Sequence, residues 1–195
     1  MTQFSVLNSI IHKKGKFGNH ENKNEKNLLK ISEINNLAIF QLVKFKHSAI
    51  ENDYLTIDHL GLPAPLKVTS NDTTRILWMG SNNWLIVSKK LDLLENESKK
   101  IDNVNFALTD LSNSKTIIEI EGDLADEVLK KGCPLDINEM KEGHCSNSIY
   151  NSISVTLDFI SDNPKKIRVF SLRSYGESFY NSITDACLEY GYIAI

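Results

Sequence analysis

The chain has 195 residues, of which 41% are hydrophobic and 24% charged, and its formal charge is −3. That length and apolar content suffice for a proper core, held as one large domain or as two small halves. The charges are spread along the chain and build no field that would hold nucleic acid, and no window reaches the roughly 18 apolar residues that cross a bilayer.

Cys133, Cys145 and Cys187 are odd in number and lack CxxC spacing, which excludes a disulfide framework and a structural zinc site and leaves buried free thiols as the expected state. His144 and Cys145 are adjacent, and neighbours in sequence point apart in most backbone conformations, so they do not read as a metal pair. The opening stretch MTQFSVLNSIIHKKGK places its lysines after a weak apolar run, the reverse of a secretory signal, and a cytoplasmic location is expected. From His12 to Lys30 there are six lysines, two glutamates and few apolar residues. Residues 1–36 therefore read as a flexible N-terminal arm, either disordered or ordering along a partner.

Residues 37–45, LAIFQLVKF, predict an interior strand. Ile50, Tyr54, Ile57 and Leu60 then recur every three or four residues from Ser48, which predicts a helix ended by Gly61 and the prolines of LPAP. His47 and His59 flank it as solvated or capping residues. Residues 75–80 and 84–88 read as a hairpin around Ser81, Asn82 and Asn83, with Trp78 and Trp84 packing across its face. A helix over 89–101 turns Leu91, Leu94 and Ile101 inward, and Val104, Phe106 and Leu108 mark the next strand.

Residues 116–121 alternate, with Ile118 and Ile120 facing one way and Glu119 and Glu121 the other. Gly122 breaks the strand, Asp123 is placed to cap a helix, and Asp126 and Glu127 favour the positive end of its dipole. Leu124, Ala125, Val128 and Leu129 form the buried stripe, and Gly132 is expected as a left-handed stop before Pro134. Residues 138–150 read as a polar loop. Residues 153–159 alternate as a strand with Ile153, Val155, Leu157 and Phe159 inward and a wet face of Ser154, Thr156 and Asp158. Asp162, Asn163 and Pro164 turn the chain into a partner strand over 167–172. Ser174 and Glu177 are spaced as a capping box for a helix with the stripe Phe179, Ile183, Cys187 and Tyr190, ended by Gly191, and residues 192–195 read as a last strand.

Residues 37–110 and 115–195 thus share one order: strand, helix, strand, strand, helix, strand. This predicts a single α+β domain over 37–195, made of two ferredoxin-like βαββαβ halves.

No glycine-rich phosphate loop follows a strand, since GSNN lacks the later glycines and the lysine that hold a pyrophosphate. There is no GxSxG elbow, no HExxH and no carboxylate pair marked for acid–base work, so no catalytic, cofactor-binding or metal residue is expected on this chain. Arg75, Arg173 and Tyr175 are candidate interface anchors, because Arg and Tyr carry much of the binding energy where proteins meet, and they read equally as local structural residues.

Taken in order, GSNNWLIV, TDLSNSKTIIEIEG, the helix ending in GCPLD, then GHC and LRSYGESFYNSITDAC resemble the gamma subunit of heterotetrameric sarcosine oxidase over residues 74–190. That family is similar in turn to the folate-binding domain of aminomethyltransferases such as the glycine cleavage T-protein. There an Asp-x-Ser segment, here Asp110, Leu111 and Ser112, leads into an apolar strand closed by a glycine, here Gly122. The folate enzymes carry Gly-Gly and acidic residues, including their catalytic aspartate, where this chain has Asn151, Ser152, Ile153 and Ser154. The resemblance implies a non-catalytic subunit of a four-chain flavoenzyme that demethylates sarcosine to glycine. FAD, FMN, NAD, zinc and tetrahydrofolate are then expected on the alpha, beta and delta partner chains. An independent folate-dependent aminomethyltransferase-like protein is the alternative, and the missing aspartate discriminates against it.

Overall fold

The structure is a computed structural model that describes residues 5, 7, 14–51 and 54–195. It is an α+β protein of two compact units, the first built on an antiparallel sheet and the second on a mixed one in which the strands Leu29–Glu33 and Tyr192–Ala194 run parallel. Among the described residues the first unit holds Asn36–Asn113 and His144–Ser146, and the second holds the rest.

The first unit contains β3 (Ala38–Lys44), the short ribbon of β4 (Thr56–Ile57) and β5 (Leu60–Gly61), β6 (Val68–Ser70), β7 (Thr74–Gly80), β8 (Asn83–Ser88), α1 (Leu93–Ser98) and β9 (Phe106–Asp110). Two strands, β1 (Gly15–Phe17) and β2 (Leu29–Glu33), precede these in the chain and belong to the second unit. The five-stranded sheet runs β6-β7-β8-β3-β9. Counting β3, β7, β8 and β9 as first to fourth, the order is fourth, first, third, second, which is that of a split βαβ. Strand periodicity explains the core. Ala38, Phe40 and Leu42 alternate onto one face with Ile76, Trp84 and Ile86, and Leu93, Ile101 and Phe106 close over them. Trp78 and Trp84 are cross-strand partners in the β7–β8 hairpin, as expected.

The helix expected from Ser48 is not formed. Residues 52 and 53 lie outside the described residues, and beyond them the chain makes the β4–β5 ribbon. Asp58 and His59 both take left-handed φ, 50° and 65°, as the two central residues of a tight hairpin turn require, and a helix has no place for them. Tyr54, which a helical stripe would bury, is 81% exposed. The second expected helix, over 89–101, shortens to α1, and Leu91, read as inward, is exposed.

The second unit adds β10 (Lys115–Glu121), α2 (Ala125–Lys130), β11 (Cys145–Tyr150, whose first two residues count with the first unit), β12 (Ile153–Asp162), β13 (Lys165–Leu172), α3 (Gly176–Cys187) and β14 (Tyr192–Ala194). Its seven-stranded sheet runs β1-β14-β2-β10-β13-β12-β11. The same four-strand order appears here in β14, β10, β13 and β12, with β2 inserted between β14 and β10. One face is apolar: Ile118 and Ile120, Val155, Leu157 and Phe159, and Ile167 and Val169 meet Val128 and Leu129 of α2 and Phe179 and Ile183 of α3.

The insertion of β2 corrects the expected arm. Part of residues 1–36 lies outside the described residues, but 14–36 carry β1 and β2, and Leu29 and Ile31 are buried in the core. The polar stretch between them closes the end of α3. Asn19 N–H donates to the Leu188 carbonyl at 2.8 Å and Lys23 Nζ to the Tyr190 carbonyl at 3.0 Å, supplying partners that the last turn of a helix lacks. A Cβ on Gly18 would stand 2.3 Å from the Leu188 carbonyl oxygen, and one on Gly191 2.4 Å from that of Asn19, so both crossings demand glycine. Composition missed this, because β1 and β2 are short and their apolar residues are few.

Local signals were also resolved differently. Ala125, Val128 and Leu129 are buried as expected, but Leu124 stands at the N-cap of α2 and is exposed, with no side-chain cap from Asp123. Gly132 is not among the left-handed glycines; its lack of a side chain serves close packing, since a Cβ would lie 2.7 Å from Asn151 Oδ1 and 2.9 Å from the Tyr150 ring. The Ser174 capping box does not form, because residues 173–175 make a 3-10 turn and α3 begins at Gly176. The loop expected over 138–150 ends in β11, and of the face of β12 expected to be wet only Ser154 is exposed, with Thr156 and Asp158 buried.

Candidate functional site

Asp110 and Ser112 stand at the end of β9, where the chain leaves the first sheet. Ser112 Oγ accepts a hydrogen bond from Ile39 N–H at 3.0 Å and approaches the Ile39 carbonyl at 3.4 Å, so the hydroxyl extends the β3–β9 ladder by one rung. Asp110 Oδ1 accepts from Ser112 N–H at 2.8 Å and fixes the turn. With Asn36, Leu37, Ala38, Leu91 and Asn113 they line a cavity of about 120 Å³. Both side chains are engaged with backbone, and the Asp-x-Ser lead-in is accounted for as a turn device.

Asn151 and Ser152, which the sequence resemblance sets against the folate enzymes' Gly-Gly, are the central pair of the β11–β12 turn, with φ of 46° and 70°. Glycine suits such φ values, and Asn is the side chain that tolerates them best, which explains the substitution in backbone terms. Asn151 N–H donates to the Gly132 carbonyl at 3.0 Å and its Nδ2 to Ser182 Oγ at 2.7 Å, tying the turn to the segment just after α2 and to the middle of α3. Ile153 and Ser154 then begin β12. These four positions hold no carboxylate, so none of them can take a proton or stabilise an iminium.

The candidate anchors do not form one patch on one unit: Arg75 lies half-buried in β7 of the first unit, while Arg173 and the half-exposed Tyr175 share the 3-10 turn before α3 in the second. Cys133, Cys145 and Cys187 are free and buried. Burial pushes the Cys187 thiol up to about 12, against the opposing pull of Lys131, so it is no nucleophile near neutral pH. Cys145 Sγ donates toward the Lys67 and Trp78 carbonyls, at 3.2 and 3.3 Å, and His144 Nε2 is hydrogen-bonded to Lys67 Nζ. Among the described residues no three His, Cys, Asp or Glu side chains are grouped to hold a metal. The Gly80–Asn83 segment is a bulged hairpin turn whose Asn82 carbonyl accepts from Lys44 N–H, and it does not fit a pyrophosphate.

The most concentrated polar site was not foreseen. Asp58, 8% exposed, accepts from Lys90 Nζ at 2.6 Å, Thr74 Oγ1 at 2.6 Å, Thr73 Oγ1 at 3.1 Å and Asn71 Nδ2 at 3.3 Å. Burial raises its pKa, but the bonds from Lys90, Thr74, Asn71 and Thr73 outweigh that and hold the carboxyl far below the usual carboxylate range. Thr74 Oγ1 is also 2.8 Å from Ser88 Oγ. The only sequence signal is the Asn-Asp-Thr-Thr turn, where Asn71 Oδ1 accepts from Thr73 and Thr74 N–H. A carboxylate so saturated is a structural tie for the β4–β5 ribbon, not a base.

Two sheets of split βαβ strand order in one chain define an aminomethyltransferase-like class of α+β fold. Glycine cleavage system aminomethyltransferase T from Bartonella henselae shares it at a TM-score of 0.58 and 9% identity, over 82% of this chain and 46% of that one. A chain of the heterotetrameric sarcosine oxidase from Corynebacterium sp. U-96, in complex with pyrrole 2-carboxylate, shares it at a TM-score of 0.75 and 21% identity, over 86% of this chain and 87% of that one. In sequence the chain is similar to sarcosine oxidase subunit gamma of Corynebacterium sp. (strain U-96), 29% identical over 87 residues, which are 43% of this chain and 42% of that relative. No family model matches. The resemblance read from the motifs is therefore to the protein that the sequence comparison also finds.

Proposed function

We propose that this chain is the gamma-type, non-catalytic subunit of a heterotetrameric sarcosine oxidase. In that role it supports the oxidative demethylation of sarcosine to glycine by flavin-bearing partner subunits. The observation that carries the reading is the 29% identity over 87 residues with sarcosine oxidase subunit gamma. The turn at Asn151 and Ser152 supports it, since the one place where the related folate fold would put an acid is spent on backbone geometry. The partners are then the alpha, beta and delta subunits, with FAD, FMN, NAD, zinc and tetrahydrofolate held on them, in the cytoplasm. Among the described residues no helix is long and apolar enough to cross a membrane.

The test is co-expression with those three subunits and gel filtration, followed by sarcosine turnover per flavin with and without tetrahydrofolate. The chain is expected to elute in stoichiometric amount with a yellow complex, and to be colourless alone. A complex that assembles and turns over fully without it would overturn the reading. In the assembled complex Asp110→Asn and Ser112→Ala should leave turnover within about threefold of the parent, under about 1 kcal/mol in barrier. A hundredfold loss with normal assembly would place chemistry on this chain.

A further inference from the structure

The edges of the two sheets are protected unequally. β1 and β6 are three residues long, and Lys16 of β1 is ion-paired with Glu25. β11 carries the polar run Ser146, Asn147 and Ser148, and its Cys145 N–H already donates to the Leu66 carbonyl at 3.0 Å. β9, Phe-Ala-Leu-Thr-Asp, has no lysine, no proline and no bulge, the usual means of stopping an edge from pairing.

Its register shows what it offers. β9 pairs with β3 so that Phe45 N–H donates to the Asn105 carbonyl and Leu111 N–H to the Ile39 carbonyl. In an antiparallel ladder the odd-numbered residues 105–111 therefore bond to β3, and the even-numbered ones turn their N–H and C=O the other way. Phe106 N–H is taken by the Asp102 carbonyl at 2.9 Å. The N–H of Leu108 and of Asp110, and the carbonyls of Phe106, Leu108 and Asp110, face outward where, among the described residues, no further strand follows in the sheet. Val104, 69% exposed, stands beyond one end as a single apolar side chain. From 101 to 114 the chain carries Asp102 and Asp110 and no basic residue.

We propose that β9 is a docking edge for an extended strand of a partner chain, apolar in its middle and basic at its ends, which adds a sixth strand to the five-stranded sheet. Backbone pairing supplies the contact, and the two aspartates select lysine or arginine at the ends of the incoming strand. A second copy of this chain would bring the same acidic segment to the edge and is disfavoured by like charge. The identity of the partner, a sarcosine oxidase subunit, rests on the function proposed above; the chemistry of the edge does not.

The test is amide exchange on the full chain, alone and in the co-expressed complex. Alone, the Leu108 and Asp110 amides exchange freely while Ala107 and Thr109 are slow. In the complex the first two should slow by at least about tenfold, and Asp110→Lys, with Ala107 and Thr109 still slow as the sign of an intact β9, should lower the share of chain in the complex by at least about threefold. A complex in which Leu108 and Asp110 exchange as fast as in the free chain overturns the docking edge and leaves the subunit reading standing. If no complex forms, the subunit reading fails, and a synthetic peptide Lys-Val-Thr-Val-Thr-Lys decides alone. Protection of both amides by it, and not by its glutamate-ended counterpart, upholds the edge; equal effect or no effect of the two peptides overturns it, as does a homodimer that protects them.

Discussion

The two units share a strand order and close their cores by different means. In the second, two helices lay apolar stripes on the sheet, and Val128, Leu129, Phe179 and Ile183 are wholly buried. In the first, the place after β3 holds a two-stranded ribbon instead of a helix, pinned to the β7–β8 hairpin by one buried carboxylate. The same topology is therefore roofed once by the apolar stripes of two helices and once by a ribbon that buries Ile57 and whose turn is held by a saturated polar knot. The first roof degrades gradually when trimmed, whereas the second fails when a single partner is removed, because each remaining donor is then left unpaired.

Substitutions should separate these two modes. Asp58→Ala removes the acceptor from Thr74, Thr73, Asn71 and Lys90 together and should cost about 3 to 5 kcal/mol, seen as a lower denaturation midpoint and faster exchange in β7 and β8. Asp58→Asn, which tolerates the left-handed backbone, should cost less. The sign with pH follows from the lowered pKa of Asp58. Its contribution is full above the ordinary carboxylate range and is lost as pH falls toward its folded value. The gap in stability between the parent and Asp58→Ala should thus stay level from about pH 7 to 5 and shrink below about pH 4. A gap that grew on acidification would refute the assignment.

Leu129→Ala should cost about 2 to 5 kcal/mol by opening a cavity under α2, with faster exchange in β10 and β13. It should also lower the yield of assembled complex. Gly132→Ala, which forces a methyl against Asn151 and Tyr150, should cost about 1 to 3 kcal/mol in thermal melts, and a neutral result would show that the turn can give way. Ser112→Ala loses one accepted bond at the end of β3 and should cost about 1 kcal/mol, measured as a small shift in the urea midpoint.

Much of the second unit was legible because its signals are local. Thr116, Ile118 and Ile120 alternate in β10, Val128 and Leu129 fall one turn from Ala125, and Phe179, Ile183 and Cys187 repeat every four residues, so each element can be read from its own window. At the candidate site, the absence of an acid at residues 151–154 was equally plain, and it supports the functional reading. The ladder role of Ser112 was not, since its partner Ile39 lies far away in the chain.

By itself, then, the sequence determined the α+β class, the strand order shared by the two halves, most of the inward stripes and the free thiols, because these follow from periodicity and residue type within a few turns of chain. Tertiary structure alone decided that residues 29–33 become a central strand, that the apolar spacing after Ser48 serves a ribbon, and that Thr156 and Asp158 on β12 are buried. In each of these, the free energy lies in partners distant in sequence. The gap between β14 and β10 accepts β2, Lys90 and Thr74 hold Asp58, and no pattern in a short window records a hydrogen bond or a neighbour supplied from elsewhere.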